Sequence, residues 1–96
     1  MADPSWFVPD LLANANSHTD KFLRVELHTG LMFSRIALQT RYQEKRDRNC
    51  VYARRAYDTL LYFIRKASNN EFAGSDEMTR GLAQLKLELQ RLGEAI

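Results

Sequence analysis

The stretch "ELHTGLMFSRIALQT" (residues 26–40) decides the fold, because small residues interrupt a segment that otherwise has the composition of a helix. These small residues share one flank of that helix: Gly30, Ser34 and Ala37. The second predicted helix also has small residues, Ala53 and Ala56. Small side chains let helix axes approach at the short end of the usual range of about 8–10 Å. The stretch therefore predicts close packing of two helices. It does not predict a reactive serine, since no G-x-S-x-G elbow surrounds Ser34.

Start and stop signals divide the chain into a lead-in and three helices. Ser17 and Asp20 form a capping-box pattern that predicts the start of the first helix, which ends near residues 39–42. The second helix is predicted over residues 44–67, and the third begins after Ser75, a residue type that caps helices. No segment alternates apolar and polar residues as a strand does.

The predicted fold is all-α: a three-helix, mostly antiparallel bundle over residues 17–96, preceded by an irregular lead-in at residues 1–16 that holds both prolines. The second and third helices each carry a narrow apolar seam with alternating three- and four-residue spacings. The seam of the second helix consists of Cys50, Ala53, Tyr57, Leu60, Ile64 and Ala67. The seam of the third consists of Met78, Leu82, Leu85, Leu89, Leu92 and Ile96.

The first helix differs from the other two because it has apolar residues on opposite faces. One face holds Leu23, Leu27, Leu31, Ser34 and Leu38, and the other holds Phe22, Val25, Met32, Phe33 and Ile36. Such a helix is normally buried between neighbours, so we expect it at the centre of the bundle. The second face is expected to be covered by fold-back of lead-in side chains, namely Trp6, Phe7, Val8, Leu11 and Leu12. The alternative is a twofold homodimer that covers the same surface.

Composition and charge are those of an ordinary globular domain of 96 residues. The net charge of +2 is too small to indicate nucleic-acid binding by itself. Cys50 is the single cysteine, which excludes an internal disulfide. The first residues lack a signal-peptide pattern, and no run of about 18 apolar residues predicts a membrane span. We therefore expect a cytoplasmic protein without membrane association, either a monomer or a homodimer.

The sequence contains no motif for catalysis, cofactor binding or metal binding. His18 and His28 are the two histidines, and neither has a cysteine or another histidine at metal-ligand spacing. Cys50 lies on an apolar seam, where a thiol behaves as a small hydrophobic side chain. Glycine-rich phosphate loops are also missing. We therefore expect a protein that is not an enzyme and uses no cofactor or metal, with a small enzyme or ligand-binding bundle as the open alternative.

The outer face of the second helix is the candidate partner-binding site. Residues 41–55 carry six basic and two acidic side chains, a net charge of +4, which leaves the rest of the chain at −2. Basic and aromatic side chains lie opposite the Tyr57 seam: Arg48, Tyr52, Arg55, Tyr62 and Lys66. A face of this kind can contact an acidic protein segment through its charges while the rings supply contact area.

Three interpretations of this face are open. The first, which is our main functional prediction, is that the face binds a partner protein and that the chain is a non-enzymatic protein–protein interaction module. The second is a weak nucleic-acid interface, in which the cations contact phosphates and the rings stack on bases. The third is an ordinary solvated helix face, where tyrosines cover arginine stems and Glu44 pairs with Arg48 at i,i+4.

The paired helices resemble helical hairpins of two known families. "GLMF" (Gly30 to Phe33) is similar to the small and aromatic positions of the first helix of a tetratricopeptide repeat, and "ARRAYDTL" (residues 53–60) to those of the second. The two groups lie farther apart than one such repeat allows. The microtubule-interacting-and-transport type of domain, a three-helix bundle with longer helices, fits the chain length better. The same runs are similar to small uncharacterised bacterial helical proteins. The two named families imply a scaffold that binds protein segments in a groove between helices.

Overall fold

The structure, a computed structural model, describes the backbone of residues 4–67 and 70–96 and the side chains of residues 18–67 and 70–96. Three helices make up this part of the chain: α1 over Pro4–Gln39, α2 over Gln43–Lys66 and α3 over Asp76–Arg91. No strand occurs among the described residues. The predicted all-α, three-helix bundle is confirmed.

The helices run up, down and up. After the short connection at residues 40–42, α2 returns antiparallel to α1. The third helix runs parallel to α1, because Glu77 in its first turn contacts Arg24, whereas Glu88 near its end bonds to Ser34. Two of the three helix pairs are therefore antiparallel, as predicted, and α1 packs against both other helices.

The first helix begins earlier than predicted. Its helical backbone starts at Pro4, so the lead-in is not irregular over its described residues, and Ser17 is not the helix start. Pro4 is the first helical residue that the structure describes. Extending an existing helix costs less than nucleating a new one, so the capping residues at 17–20 are incorporated into α1.

The surface of α1 opposite the leucine face is not covered as expected. Val25 and Met32 are 61% and 49% exposed in the chain. The helical backbone over Pro4–Gln39 contains no turn that would return the N-terminal segment to this surface. The lead-in side chains on which the fold-back prediction depends lie outside the described residues: Trp6, Phe7, Val8, Leu11 and Leu12.

The core forms where the leucine face of α1 meets the seams of α2 and α3. Its largest fully buried side chains come from all three helices, namely Leu23, Leu27, Leu60, Met78, Leu85 and Leu89. Partly buried side chains complete the two seams: Cys50, Ile64, Leu82, Leu92 and Ile96. Both seams predicted from the three- and four-residue spacings are therefore confirmed except at Ala67, which lies beyond the end of α2 and outside the core.

Two glycines allow α1 to approach its neighbours closely. A Cβ atom on Gly30 would lie 2.9 Å from Cδ2 of Leu85 and 3.0 Å from Cβ of Ala56. The close packing predicted at Gly30 is confirmed, and it involves α3 as well as α2. A Cβ atom on Gly81 of α3 would lie only 2.5 Å from Cδ2 of Leu27. Gly81 is thus a second close approach, which the sequence analysis did not identify.

Side chains fix the helix ends where glycine and proline are absent. The backbone N–H of Tyr42 donates to Oγ1 of Thr40 at 3.2 Å, and the Arg46 guanidinium donates to the Thr40 carbonyl at 3.2 Å. These bonds close the turn between α1 and α2 at the predicted boundary. The predicted cap of α3 is also confirmed, since Oγ of Ser75 accepts from the backbone N–H of Met78 at 3.1 Å.

Candidate partner-binding face

The third helix covers one side of the α1–α2 pair and leaves the other side open. We call this open side the α1–α2 face and define it by Phe22, Glu26, Thr29 and Phe33 of α1 and by Tyr52, Arg55, Thr59 and Phe63 of α2. In each helix these residues recur every three or four positions, so each set forms one stripe. Two cavities open on this face, and among the described side chains none from α3 lines either of them.

The first cavity lies between Phe33 of α1 and Tyr52 of α2 and has a volume of about 260 Å³. The two ring centroids are 5.1 Å apart with an interplanar angle of 54°. Ala56, only 5% exposed, also lines the cavity. Polar groups come from Glu26, Thr29, Arg55 and Thr59. Two of the predicted site residues, Tyr52 and Arg55, therefore lie together in one cavity.

The second cavity has a volume of about 250 Å³ and lies toward the C-terminal end of α2. It is lined by His18, Thr19, Phe22 and Phe63. The rings of Phe22 and Phe63 meet edge to face with centroids 5.0 Å apart. Tyr62 contacts Phe63 at 5.2 Å, and Nζ of Lys66 lies 5.7 Å from the Tyr62 ring centroid. The predicted residues Tyr62 and Lys66 are thus beside this cavity and form a separate pair from Tyr52 and Arg55.

The charges of α2 are only partly neutralised within the chain. Arg54 forms ion pairs with Asp58 at 3.1 Å and with Glu94 at 3.2 Å, and its hydrogen bond to Asp58 is the main cause that raises the pKa of Arg54. Among the described residues, no ion pair involves the three cations of the predicted site: Arg48, Arg55 and Lys66. The Glu44–Arg48 pair expected for a solvated face is likewise not formed in this part of the chain. Arg55 on the α1–α2 face, and Arg48 and Lys66 beside it, are therefore left without an ion pair in this part of the chain.

The α1 half of the face was not part of the predicted site. Phe22 and Phe33 belong to the α1 surface that we expected to be covered, whereas Glu26 belongs to neither of the predicted apolar faces. The short connection at residues 40–42 could have predicted that these α1 residues lie beside the α2 site. Residues at similar distances from a tight turn lie side by side in an antiparallel helix pair. That register brings Phe33 opposite Tyr52 and Phe22 opposite Phe63.

A serine and a carboxylate do meet in this molecule, but inside the core. Ser34 and Glu88 are 0% and 2% exposed. The Ser34 hydroxyl donates to Oε1 of Glu88 at 2.8 Å, and Gln84 donates to Oε2 of Glu88 at 2.8 Å. Nε of Arg35 lies 4.0 Å from Oε1. This pair links α1 to α3, and neither residue lines the two cavities of the α1–α2 face.

We expect the Ser34–Glu88 contact to stabilise the bundle as a pair. Ser34→Ala should lower the free energy of unfolding by about 1–2 kcal/mol, because a buried carboxylate loses a hydrogen bond. Adding Glu88→Met to that variant should cost less than Glu88→Met costs in the wild type, since the pair shares one contact. Urea unfolding of the four proteins measures this coupling. Strictly additive costs would show that the contact contributes nothing.

His28 and Cys50 have environments that match their expected structural roles. His28 is exposed, and its Nε2 lies 3.4 Å from Oε2 of Glu77, which also accepts from Arg24 at 2.9 Å. Burial raises the pKa of Glu77, but the hydrogen bonds from His28 and Arg24 outweigh that effect and lower it. Burial, followed by the charges of Glu94 and Asp47, raises the pKa of the Cys50 thiol. The contacts of Glu77 with Arg24 and His28 hold the first turn of α3 against α1. The raised pKa of Cys50 disfavours its thiolate form.

Comparison with known proteins adds no function. No protein-family model, curated protein or solved structure matches this chain. Within residues 4–67 and 70–96, no helix is both long and apolar enough to span a membrane. No group of three or more His, Cys, Asp or Glu side chains in the described part of the chain is arranged to hold a metal ion. The α1–α2 face is therefore interpreted from its own geometry.

Proposed function

We propose that this chain is a non-enzymatic protein–protein interaction module that binds an acidic segment of a partner protein along the α1–α2 face. The observation that carries the proposal is the pair of aromatic cavities on one open face, next to cations without ion pairs in the described chain. Aromatic and arginine side chains are enriched at the centres of protein interfaces. The resemblance to tetratricopeptide-type and microtubule-interacting-and-transport-type hairpins supports the same role. We expect the module to act in the cytoplasm.

A protein partner is favoured over nucleic acid by the contents of the first cavity. Glu26 lines the same cavity as Arg55, and a carboxylate at that position repels a phosphate backbone. The rings of Phe33 and Tyr52 meet at an interplanar angle of 54°, so they do not form the parallel platform on which successive bases would stack. The net charge of the chain is only +2. These features fit apolar anchors and acidic side chains better than a continuous phosphate backbone.

Photo-crosslinking from the face tests this function. We would replace Tyr52 with the crosslinker benzoylphenylalanine in the full-length protein and irradiate it in the source cells. The matched control is the same replacement at Leu87 of α3, because the two side chains are similarly exposed, at 39% and 43%. We expect a discrete protein adduct from position 52, absent from position 87 and lost when Arg55→Glu is added.

Two other outcomes contradict the proposal. Adducts from position 52 that disappear after nuclease treatment would identify nucleic acid as the partner, and binding would then weaken steeply with salt. Equal adducts from positions 52 and 87 would show that contact with the α1–α2 face is not specific. Circular dichroism of each variant confirms that the bundle is folded, so loss of an adduct reports on the face itself.

A further inference from the structure

Resting on the proposed function, we infer that the segment bound by the α1–α2 face is an amphipathic α-helix. It carries apolar anchors at positions i and i+11, and acidic residues on the flank that faces α2. The inference depends on three properties of the face: the spacing of its cavities, the absence of free backbone groups along it, and the distribution of its charges.

The spacing of the cavities sets the length of the bound helix. Phe22 and Phe33 are eleven residues apart in α1, and Tyr52 and Phe63 are eleven residues apart in α2. At about 1.5 Å per residue, both pairs span roughly 16 Å along the helix axes. A third helix lying along this groove has side chains at i and i+11 on one stripe, separated by the same distance. Its intermediate positions i+4 and i+7 would contact Thr29 and Thr59.

The chemistry of the groove favours a helical segment over an extended one. Both walls are α-helices, whose backbone groups bond within the helix, so an extended peptide finds no strand edge with which to pair. A helix satisfies its own backbone and presents only side chains to the groove. The helices α1 and α2 form an antiparallel pair, and α3 covers one side of it. The groove on the other side corresponds to the position of the fourth helix in a four-helix bundle.

The charges distinguish a partner helix from a second copy of this chain. Three cations lie on or beside the α2 half of the face, namely Arg48, Arg55 and Lys66, whereas Glu26 is the one acidic side chain lining its first cavity. Face-to-face pairing of two copies would bring two such basic surfaces together, which costs free energy. A helix with acidic residues on one flank pairs with Arg55 and its neighbours instead. The structure therefore favours a partner of opposite charge.

Two designed helical peptides test this inference with the full-length protein. Both carry leucines at i, i+4, i+7 and i+11; one has glutamates along a single flank, and the other has lysines at the same positions. We expect the glutamate peptide to bind the wild type more tightly in fluorescence anisotropy, and Arg55→Glu to raise its Kd by about tenfold or more. The lysine peptide should bind the Arg55→Glu variant more tightly than it binds the wild type. Lys86→Glu on α3 is the matched control and should change neither Kd appreciably.

Each remaining outcome overturns the inference in a recognisable way. Equal binding of both peptides to the wild type would remove the charge complementarity, and equal losses from Arg55→Glu and Lys86→Glu would remove the site. A wild-type dimer in sedimentation that dissociates with Arg55→Glu would identify a second copy as the occupant. If position 52 gives specific protein adducts but the glutamate peptide does not bind, the inference of a helical segment is wrong and the proposed function stands. If there are neither adducts nor peptide binding, the proposed function is wrong as well.

Discussion

Replacing Leu85 with alanine should lower the free energy of unfolding by about 2–5 kcal/mol, the largest effect that we expect from truncating one side chain. Leu85 is fully buried, and its Cδ2 lies 2.9 Å from the point that a Cβ atom on Gly30 would occupy. The truncation therefore opens a cavity directly against the backbone of α1. Because α1 is also held by α2, its backbone cannot shift far enough to fill that space.

The same geometry predicts a compensating substitution. In the wild type, Gly30→Ala would gain about 1 kcal/mol of helix propensity but would force its Cβ onto Leu85 and Ala56. With Leu85→Ala present, the contact with Leu85 no longer exists while that with Ala56 remains, so Gly30→Ala should be less unfavourable in that variant than in the wild type. Urea unfolding of the wild type, both single variants and the double variant measures the coupling. Leu87→Ala, on the exposed side of α3, is the control and should have a small effect.

Additivity would contradict this prediction. If Gly30→Ala changes the stability of the wild type and of the Leu85→Ala variant equally, the two residues are not packed against each other as described. A loss of well under 2 kcal/mol for Leu85→Ala would mean that the core collapses around the missing side chain. Both results are read from the same four unfolding curves.

The fold was largely predictable because its signals are local. The apolar seams of α2 and α3 follow from three- and four-residue spacings, and the boundary at residues 39–43 and the cap at Ser75 lie where they were predicted. The start of α1 was not predictable from the Ser17 and Asp20 pattern. A capping sequence stabilises a helix start only if the preceding residues are not already helical, and this depends on the segment before it.

Features that depend on contacts between helices were missed. The sequence around Gly81 does not indicate close packing, because its contact with Leu27 depends on the register of α3 against α1. Glu88 reads as a surface residue until α3 turns it toward Ser34. For the candidate site, the α2 half was identified from its charges and rings, whereas Phe22 and Phe33 required the pairing of α1 with α2. Spacing within one helix identifies a stripe, but only the assembled bundle shows whether that stripe is covered.

Replacing Gly81 with leucine should destabilise the bundle by about 1–3 kcal/mol or more. A Cβ atom at this position lies 2.5, 2.7 and 3.0 Å from three side-chain carbons of Leu27, which is itself buried in the core. Leucine propagates a helix better than glycine by up to about 1 kcal/mol, so an observed loss must come from packing. Gly74→Leu is the matched control, because nothing lies within 4 Å of its Cβ position and its φ is not positive.

The outcome is decided by comparing the two glycine variants in thermal and urea unfolding. We expect Gly74→Leu to stay within about 0.5 kcal/mol of the wild type, as most surface substitutions do. Truncating Leu27 to alanine should cost less in the Gly81→Leu variant than in the wild type, since the new side chain occupies the vacated space. Equal losses at Gly74 and Gly81 would show instead that leucine is unfavourable in this part of the chain for a reason other than close packing of α3 on α1.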